Sequence, residues 1–216
     1  MSKQKSYLIL FLTFLLCLLP YEQIFAAGYI KSKEKSKLVD IRKLDKTIVI
    51  DLRYATKNNF TKKKIYPAAV PLLRKETAAK LVKVNNEAAK KGYRIKVWDA
   101  YRPFSAQRTL YNAASNKSYV AHPSKGSRHN RGAAVDLTLV DRKGKELLMP
   151  SAFDDFTKRA HRNNPGMNKT AKKNMDYLTS IMKKHGFRTI SNEWWHYEDT
   201  NWEKYPLLDV PLTSFK

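Results

Sequence analysis

The chain contains five histidines, His122, His129, His161, His185 and His196. Two of them sit beside residues that could make them ligands. His129 lies in the run Ser127-Arg128-His129-Asn130-Arg131-Gly132-Ala133-Ala134-Val135-Asp136. A loop folding back at Gly132 can bring its imidazole and the Asp136 carboxylate to one point. His196 closes a second run, Glu193-Trp194-Trp195-His196. Together His129, Asp136 and His196 supply two imidazoles and one carboxylate. Three protein ligands with one open position is the usual catalytic zinc arrangement, and these donors suit a borderline divalent ion. Glu193 is the carboxylate left over. It can take a proton from a metal-polarised water and pass it to a leaving amine. The remaining histidines are read as non-ligands, and Trp194 and Trp195 as the packed floor of the site.

The elements that must position these residues follow from periodicity. Ile48, Val49, Ile50 and Leu52 read as a short strand. Thr77 to Lys91 reads as a helix, with Ala78, Leu81, Val82 and Ala89 near one face and Gly92 as its stop. Arg94 to Trp98 alternates, with Ile95 and Val97 on one side. Ala133 to Val140 reads as a strand that carries Asp136 and ends in the turn Asp141-Arg142-Lys143-Gly144. Thr170 to His185 is a second helix, with Met175, Leu178, Ile181 and Met182 as its apolar stripe. Gly186 ends it, and a strand-like stretch starts at Phe187. The expected fold is α+β: a single compact domain over residues 47–216, with a small antiparallel sheet flanked by helices and a zinc site at its centre.

Composition narrows the partners. The 216 residues carry 42 Lys and Arg against 19 Asp and Glu, a net charge of +23. At 43% hydrophobic and 12% aromatic, the chain can build a core and is not disordered as a whole. One cysteine excludes a disulfide framework and a multi-cysteine zinc finger. Lys3 and Lys5, an apolar run from Tyr7 to Leu19, and the small residues Ala26, Ala27 and Gly28 make residues 1–27 a secretory signal peptide. The run is short for a membrane span. Phe25 is bulky for a cut after Ala27, so retention as an uncleaved membrane anchor is the alternative. Cys17 is read as an ordinary apolar residue of the signal. Removing residues 1–27 takes away two lysines and one glutamate and leaves +22 over 189 residues. Residues 28–46 read as a basic, solvated N-terminal arm. An exported chain without a nucleic-acid-binding signature points away from nucleic acid. Its charge suits electrostatic contact with an anionic cell envelope, and no stable protein partner is expected.

The two runs also carry a family resemblance. The first matches the Ser-x-His-x-x-Gly-x-Ala-x-Asp pattern of zinc D-alanyl-D-alanine peptidases, and Glu193-Trp194-Trp195-His196 matches their second motif. Within that family the chain is most similar to the D-alanyl-D-alanine dipeptidases. Arg53-Tyr54-Ala55-Thr56 with Asn59-Phe60, Trp98-Asp99-Ala100-Tyr101-Arg102-Pro103, and Phe153-Asp154-Asp155-Phe156 support the narrower match. The resemblance covers residues 47–206. It implies one Zn2+ per chain on His129, Asp136 and His196, with Glu193 as general base and Arg102 on the scissile carbonyl. Without it, Arg102-Pro103 would read as a turn. It also places Ser127 near the substrate carboxylate, and Tyr54 and Asp154 near its ammonium.

The resulting expectation is zinc-dependent hydrolysis of D-alanyl-D-alanine or a related D-amino-acid dipeptide. One alternative is a D,D-carboxypeptidase or endopeptidase acting on peptidoglycan stem peptides, since those relatives share the metal motifs. The other is a non-catalytic cationic wall-binding module. The best-known dipeptidases of this kind act in the cytoplasm. The signal segment therefore favours peptide salvage or wall remodelling over glycopeptide resistance.

Overall fold

The structure, a computed structural model, describes residues 37–215. The predicted signal segment and residues 28–36 of the predicted basic arm lie outside the described residues. The strands among the described residues are β1 (Leu38–Asp40), β2 (Val49–Ile50), β3 (Leu72–Arg74), β4 (Arg94–Asp99), β5 (Ala134–Val140), β6 (Phe187–Thr189) and β7 (His196–Asp199). The α-helices among the described residues are α1 (Lys75–Ala89), α2 (Phe104–Ala113) and α3 (Lys169–Lys184). β2-β4-β5-β7-β6 form one sheet, and β1 pairs with β3 in a separate ribbon.

The sheet is mixed rather than wholly antiparallel. β4-β5, β5-β7 and β6-β7 are antiparallel, but β2 and β4 are parallel. The chain passes through β3 and α1 before it returns to β4. A helical crossover of this kind brings the next strand back in the same direction.

Strand alternation divides the domain into two sides. Ile95, Val97, Val135, Leu137, Leu139 and Tyr197 pack with Leu81, Val84 and Ala88 of α1 and Met175, Leu178, Ile181 and Met182 of α3. All four stripe residues predicted for α3 are buried. In α1, Val84 and Ala88 complete the buried stripe, while Ala89 is exposed. Asn168 caps α3 by accepting from the Thr170 and Ala171 amides at 2.8 and 3.3 Å. Emptying this core, as in Leu81→Ala, costs about 2–5 kcal/mol. On the other side a second cluster gathers Tyr54, Tyr66, Leu72, Tyr101, Leu110, Leu208 and Val210. The candidate site lies where that cluster meets the sheet.

The folded body starts earlier than residue 47. Leu38 and Ile41 are buried apolar residues among the lysines of the predicted arm. β1 pairs Leu38 with Arg74, and the Ile41 amide donates to the Pro71 carbonyl at 3.0 Å. A three-residue strand is too short to show as alternation in the sequence.

Candidate active site

Sheet register aligns the first group of residues. Asp99 on β4 pairs with Asp136 on β5, and Asp136 pairs with His196 on β7. A register shift between Val97 and Asp99 brings Asp99 into this row. His129 arrives from the loop before β5. It begins a single 3-10 turn, His129–Arg131, closed by Gly132 at φ 67°. Only glycine fits this position easily. A Cβ there would lie 2.8 Å from Leu38 Cδ2 and 3.3 Å from the Arg74 amide nitrogen, in a backbone region unfavourable to L-residues. Buried Asn130 ties the turn down. Its Nδ2 donates to the Arg102 carbonyl at 2.8 Å, and its Oδ1 accepts from the Ser127 amide at 2.7 Å.

His129 Nε2, His196 Nδ1 and Asp136 Oδ1 converge. They are separated by 3.2 Å between the imidazoles, 2.9 Å from His196 to Asp136 and 3.4 Å from His129 to Asp136. Metal–ligand bonds of about 2.0–2.1 Å in a tetrahedron put neighbouring donors about 3.3 Å apart, so these three atoms fit one tetrahedral ion. The outer ring nitrogens are already engaged. His129 Nδ1 lies 2.8 Å from the Ala100 carbonyl, and His196 Nε2 lies 3.4 Å from Glu198 Oε1. Such partners orient metal-binding imidazoles and leave the opposite nitrogen for the ion.

The electrostatics favour added positive charge. Burial opposes ionisation of Asp136, yet the His129 and His196 imidazoles hold it well below the usual carboxylate range. Burial disfavours a charged His196, but Asp136 and Glu198 push it up to about 10. A cluster that holds a proton this tightly offers a divalent cation the same attraction. Glu193 Oε2 lies 4.0 Å from His196 Nδ1, and burial raises its carboxyl to about 8.

Arg102 reaches the site from the segment before α2. Its Nε and one terminal nitrogen donate to Asp99 Oδ2 at 3.1 and 2.6 Å, and the other terminal nitrogen donates to Gln107 Oε1 at 2.8 Å. It stacks on Tyr54, with 5.2 Å from guanidinium to ring centroid. Three of its donors are thus committed, and two remain for a ligand. Asp99 is fully buried and also accepts from Tyr66 Oη at 2.7 Å and the Ala100 amide at 2.9 Å. The Tyr54 hydroxyl donates to Asp154 Oδ1 at 3.0 Å. Asp154 Oδ2 is buried without a partner among the described residues, and burial raises this carboxyl to about 7. The Ser127 hydroxyl accepts from the His129 amide at 3.2 Å.

One cavity of about 310 Å³ is lined by all eight predicted residues: Tyr54, Arg102, Ser127, His129, Asp136, Asp154, Glu193 and His196. Sequence reasoning did not find Asp99, Gln107, Glu198 or Arg162. Arg162 braces the second motif by donating to the Trp194 and His196 carbonyls at 2.6 and 3.1 Å. Glu198 had a legible signal, because the residue two after a ligand on a strand shares its face. Arg162 had none, being 34 residues from His196. Trp194 and Trp195 are buried and pack with Trp98 and Phe153, as a floor requires.

Three closely set donors, a neighbouring buried glutamate and a held arginine are the equipment of a metallopeptidase. Comparisons with known proteins make that class specific. A family model described as D-ala-D-ala dipeptidase, of the M15 peptidases, matches residues 34–210. The D-alanyl-D-alanine dipeptidase of Escherichia coli K12 is 39% identical over 182 residues, covering 84% of this chain and 94% of that protein. The D-alanyl-D-alanine dipeptidase of Enterococcus faecium is 36% identical over 188 residues, covering 75% of this chain and 91% of that protein. The chain belongs to the D-ala-D-ala dipeptidase family of M15 metallopeptidases.

Proposed function

We propose that this chain hydrolyses D-alanyl-D-alanine, or a closely related D-amino-acid dipeptide, to free amino acids, using one zinc ion per chain. The observation that carries this reading is the convergence of the three donors, Glu193, Arg102 and Asp154 on one small cavity. At about 310 Å³ it lies at the lower end of the range of ligand pockets, which suits a dipeptide better than a stem peptide.

His129, Asp136 and His196 would hold the ion, which would supply Lewis-acid polarisation at this site. Glu193 takes the proton of the attacking water and returns it to the departing amine. Arg102 keeps its charge and aims its two free donors at the scissile carbonyl, where negative charge develops. The bonds to Asp99 and Gln107 hold that guanidinium before substrate arrives. Asp154, oriented by Tyr54, receives the substrate ammonium, and Ser127 donates to its carboxylate.

Purified zinc-loaded protein offered D-alanyl-D-alanine and an intact stem pentapeptide tests this assignment. Cleavage of the dipeptide with the pentapeptide intact is expected. Release of terminal D-alanine from the pentapeptide, with the dipeptide untouched, overturns it in favour of a carboxypeptidase. Absence of both reactions in metal-loaded protein favours the wall-binding module.

The proposal includes location. Residues 1–27 direct export, and the excess positive charge holds the enzyme near anionic envelope polymers. Binding to isolated envelope should fall steadily as salt rises. Salt-independent binding counts against an electrostatic tether.

A further inference from the structure

Arg128 is not used by the chemistry above, yet it stands in the cavity wall between Ser127 and the donor His129. Its guanidinium carbon lies 4.2 Å from the centroid of the Trp202 ring, which limits the orientations open to the head group. Its Nε lies 3.4 Å from Glu198 Oε1 and makes no hydrogen bond. No hydrogen bond from its two terminal nitrogens occurs among the described residues. Arg128 is thus a fixed cation with unspent donors beside a metal-donor set.

Its charge is also the surplus one. Glu198 is neutralised by Arg188, whose Nε and terminal nitrogen approach Oε2 at 2.8 and 2.6 Å. Arg128, Arg188 and Glu198 all line the cavity and together leave one positive charge. The Asp154 wall is anionic when ionised, and Arg102 is balanced by Asp99. The cavity lining therefore carries an acidic group at Asp154, held by Tyr54, and an unmatched cation at Arg128.

The proposed substrate has the matching charges. In a dipeptide the free carboxylate is only one residue from the scissile carbonyl, so it must sit close to the metal donors. Ser127, the residue assigned to it above, offers only a neutral donor. We propose that Arg128 is a specificity-determining residue that recognises the free α-carboxylate of the residue released as the amine product. It selects dipeptides with an ionised C-terminus over amidated or extended ones. This inference rests on the dipeptidase reading and deepens it.

The test compares kcat and KM for D-alanyl-D-alanine and for its C-terminal amide, with zinc content and thermal stability measured alongside. Arg128→Ala should raise KM for the free acid by about 10- to 100-fold, the worth of a hydrogen bond to a charged group. Its kcat should stay within a few-fold, and its KM for the amide should hardly change. Arg128→Lys, which keeps the charge, should recover part of the preference for the acid. If Arg128→Ala does not fold, Arg128→Gln retains the stem over Trp202 and carries the same expectation. Equal losses on acid and amide, or loss of zinc, make Arg128 a prop for Glu198 and overturn the proposal. So does an unchanged preference for the acid. A wild-type enzyme that cleaves neither substrate overturns the dipeptidase reading as well, which separates the two failures.

Discussion

Asp136 and His196 are cross-strand neighbours inside a sheet, whereas Tyr54 and Asp154 meet between two loops across 100 residues of chain. The first pair is held by ladder hydrogen bonds and by a core packed behind the strands. The second depends on one side-chain hydrogen bond and on aromatic contacts of Tyr54 with Phe60, Tyr66 and Phe153. Asp154 itself adopts φ 59°, a left-handed conformation that aspartate tolerates better than most residues. The difference separates two tasks. Donor atoms for a metal must keep their spacing to a few tenths of an ångström; the sheet does that for Asp136 and His196, and the braced turn at Gly132 does it for His129. A wall that receives substrate can be built from loops, which adjust at lower cost.

Substitutions can break this contrast in order of size. The largest effect is expected for Glu193→Gln. Turnover of dipeptide should fall about 10³-fold, while elemental analysis finds the same zinc content. Full turnover in that variant would remove Glu193 as the proton carrier. Next is Asp99→Asn on the sheet side. It strips the partner from a buried guanidinium, so denaturant unfolding should show a loss of about 3–5 kcal/mol, and the remaining folded enzyme should be slower. Glu198→Gln should weaken zinc binding about 10- to 100-fold in a competition titration, since it supports His196 rather than touching the ion.

The smallest effect belongs to the loop wall. Asp154 binds an ammonium only when ionised, and burial places its titration near 7 in the free protein. KM for the dipeptide should therefore rise as pH falls below about 7, approaching about tenfold per pH unit. Asp154→Asn should start with a high KM and lose that slope. A wild-type KM that stays flat between pH 5 and 7 would show that the ammonium is received elsewhere.

The candidate donor set was legible because both motifs are local. Ser127 to Asp136 and Glu193 to His196 each present their chemistry within ten residues. Strands β4 and β5 and helices α1 and α3 were legible because their apolar periods run for at least six residues. β2 and β6 were legible from the apolar run at Ile48 to Leu52 and from the stretch that follows Gly186, whereas β1 and β3 have only three residues each, too few to display a period. β7 reads His196-Tyr197-Glu198-Asp199, with a histidine and two carboxylates buried in four positions. Hydrophobic patterning assigns such a stretch to the surface, and only its partners account for its burial: Arg188 for Glu198, Lys80 and Thr77 for Asp199. The same reason hid Asp99, whose burial is sustained by Arg102 three residues away and by Tyr66 from another loop.

The close approach of Gly132 to Leu38 bears on maturation. β1 braces the turn that presents His129: Leu38 covers Gly132, and the Arg74 amide beside it donates to the Gly132 carbonyl at 2.9 Å. Removal of the proposed leader by a cut anywhere before Leu38 would spare this brace. A cut a few residues further on removes a strand distant in sequence from every ligand, and should leave a chain that binds zinc less well while all its ligands remain. Any N-terminal trimming that keeps the brace would thus have to stop at Leu38, well before the first residue of the candidate site.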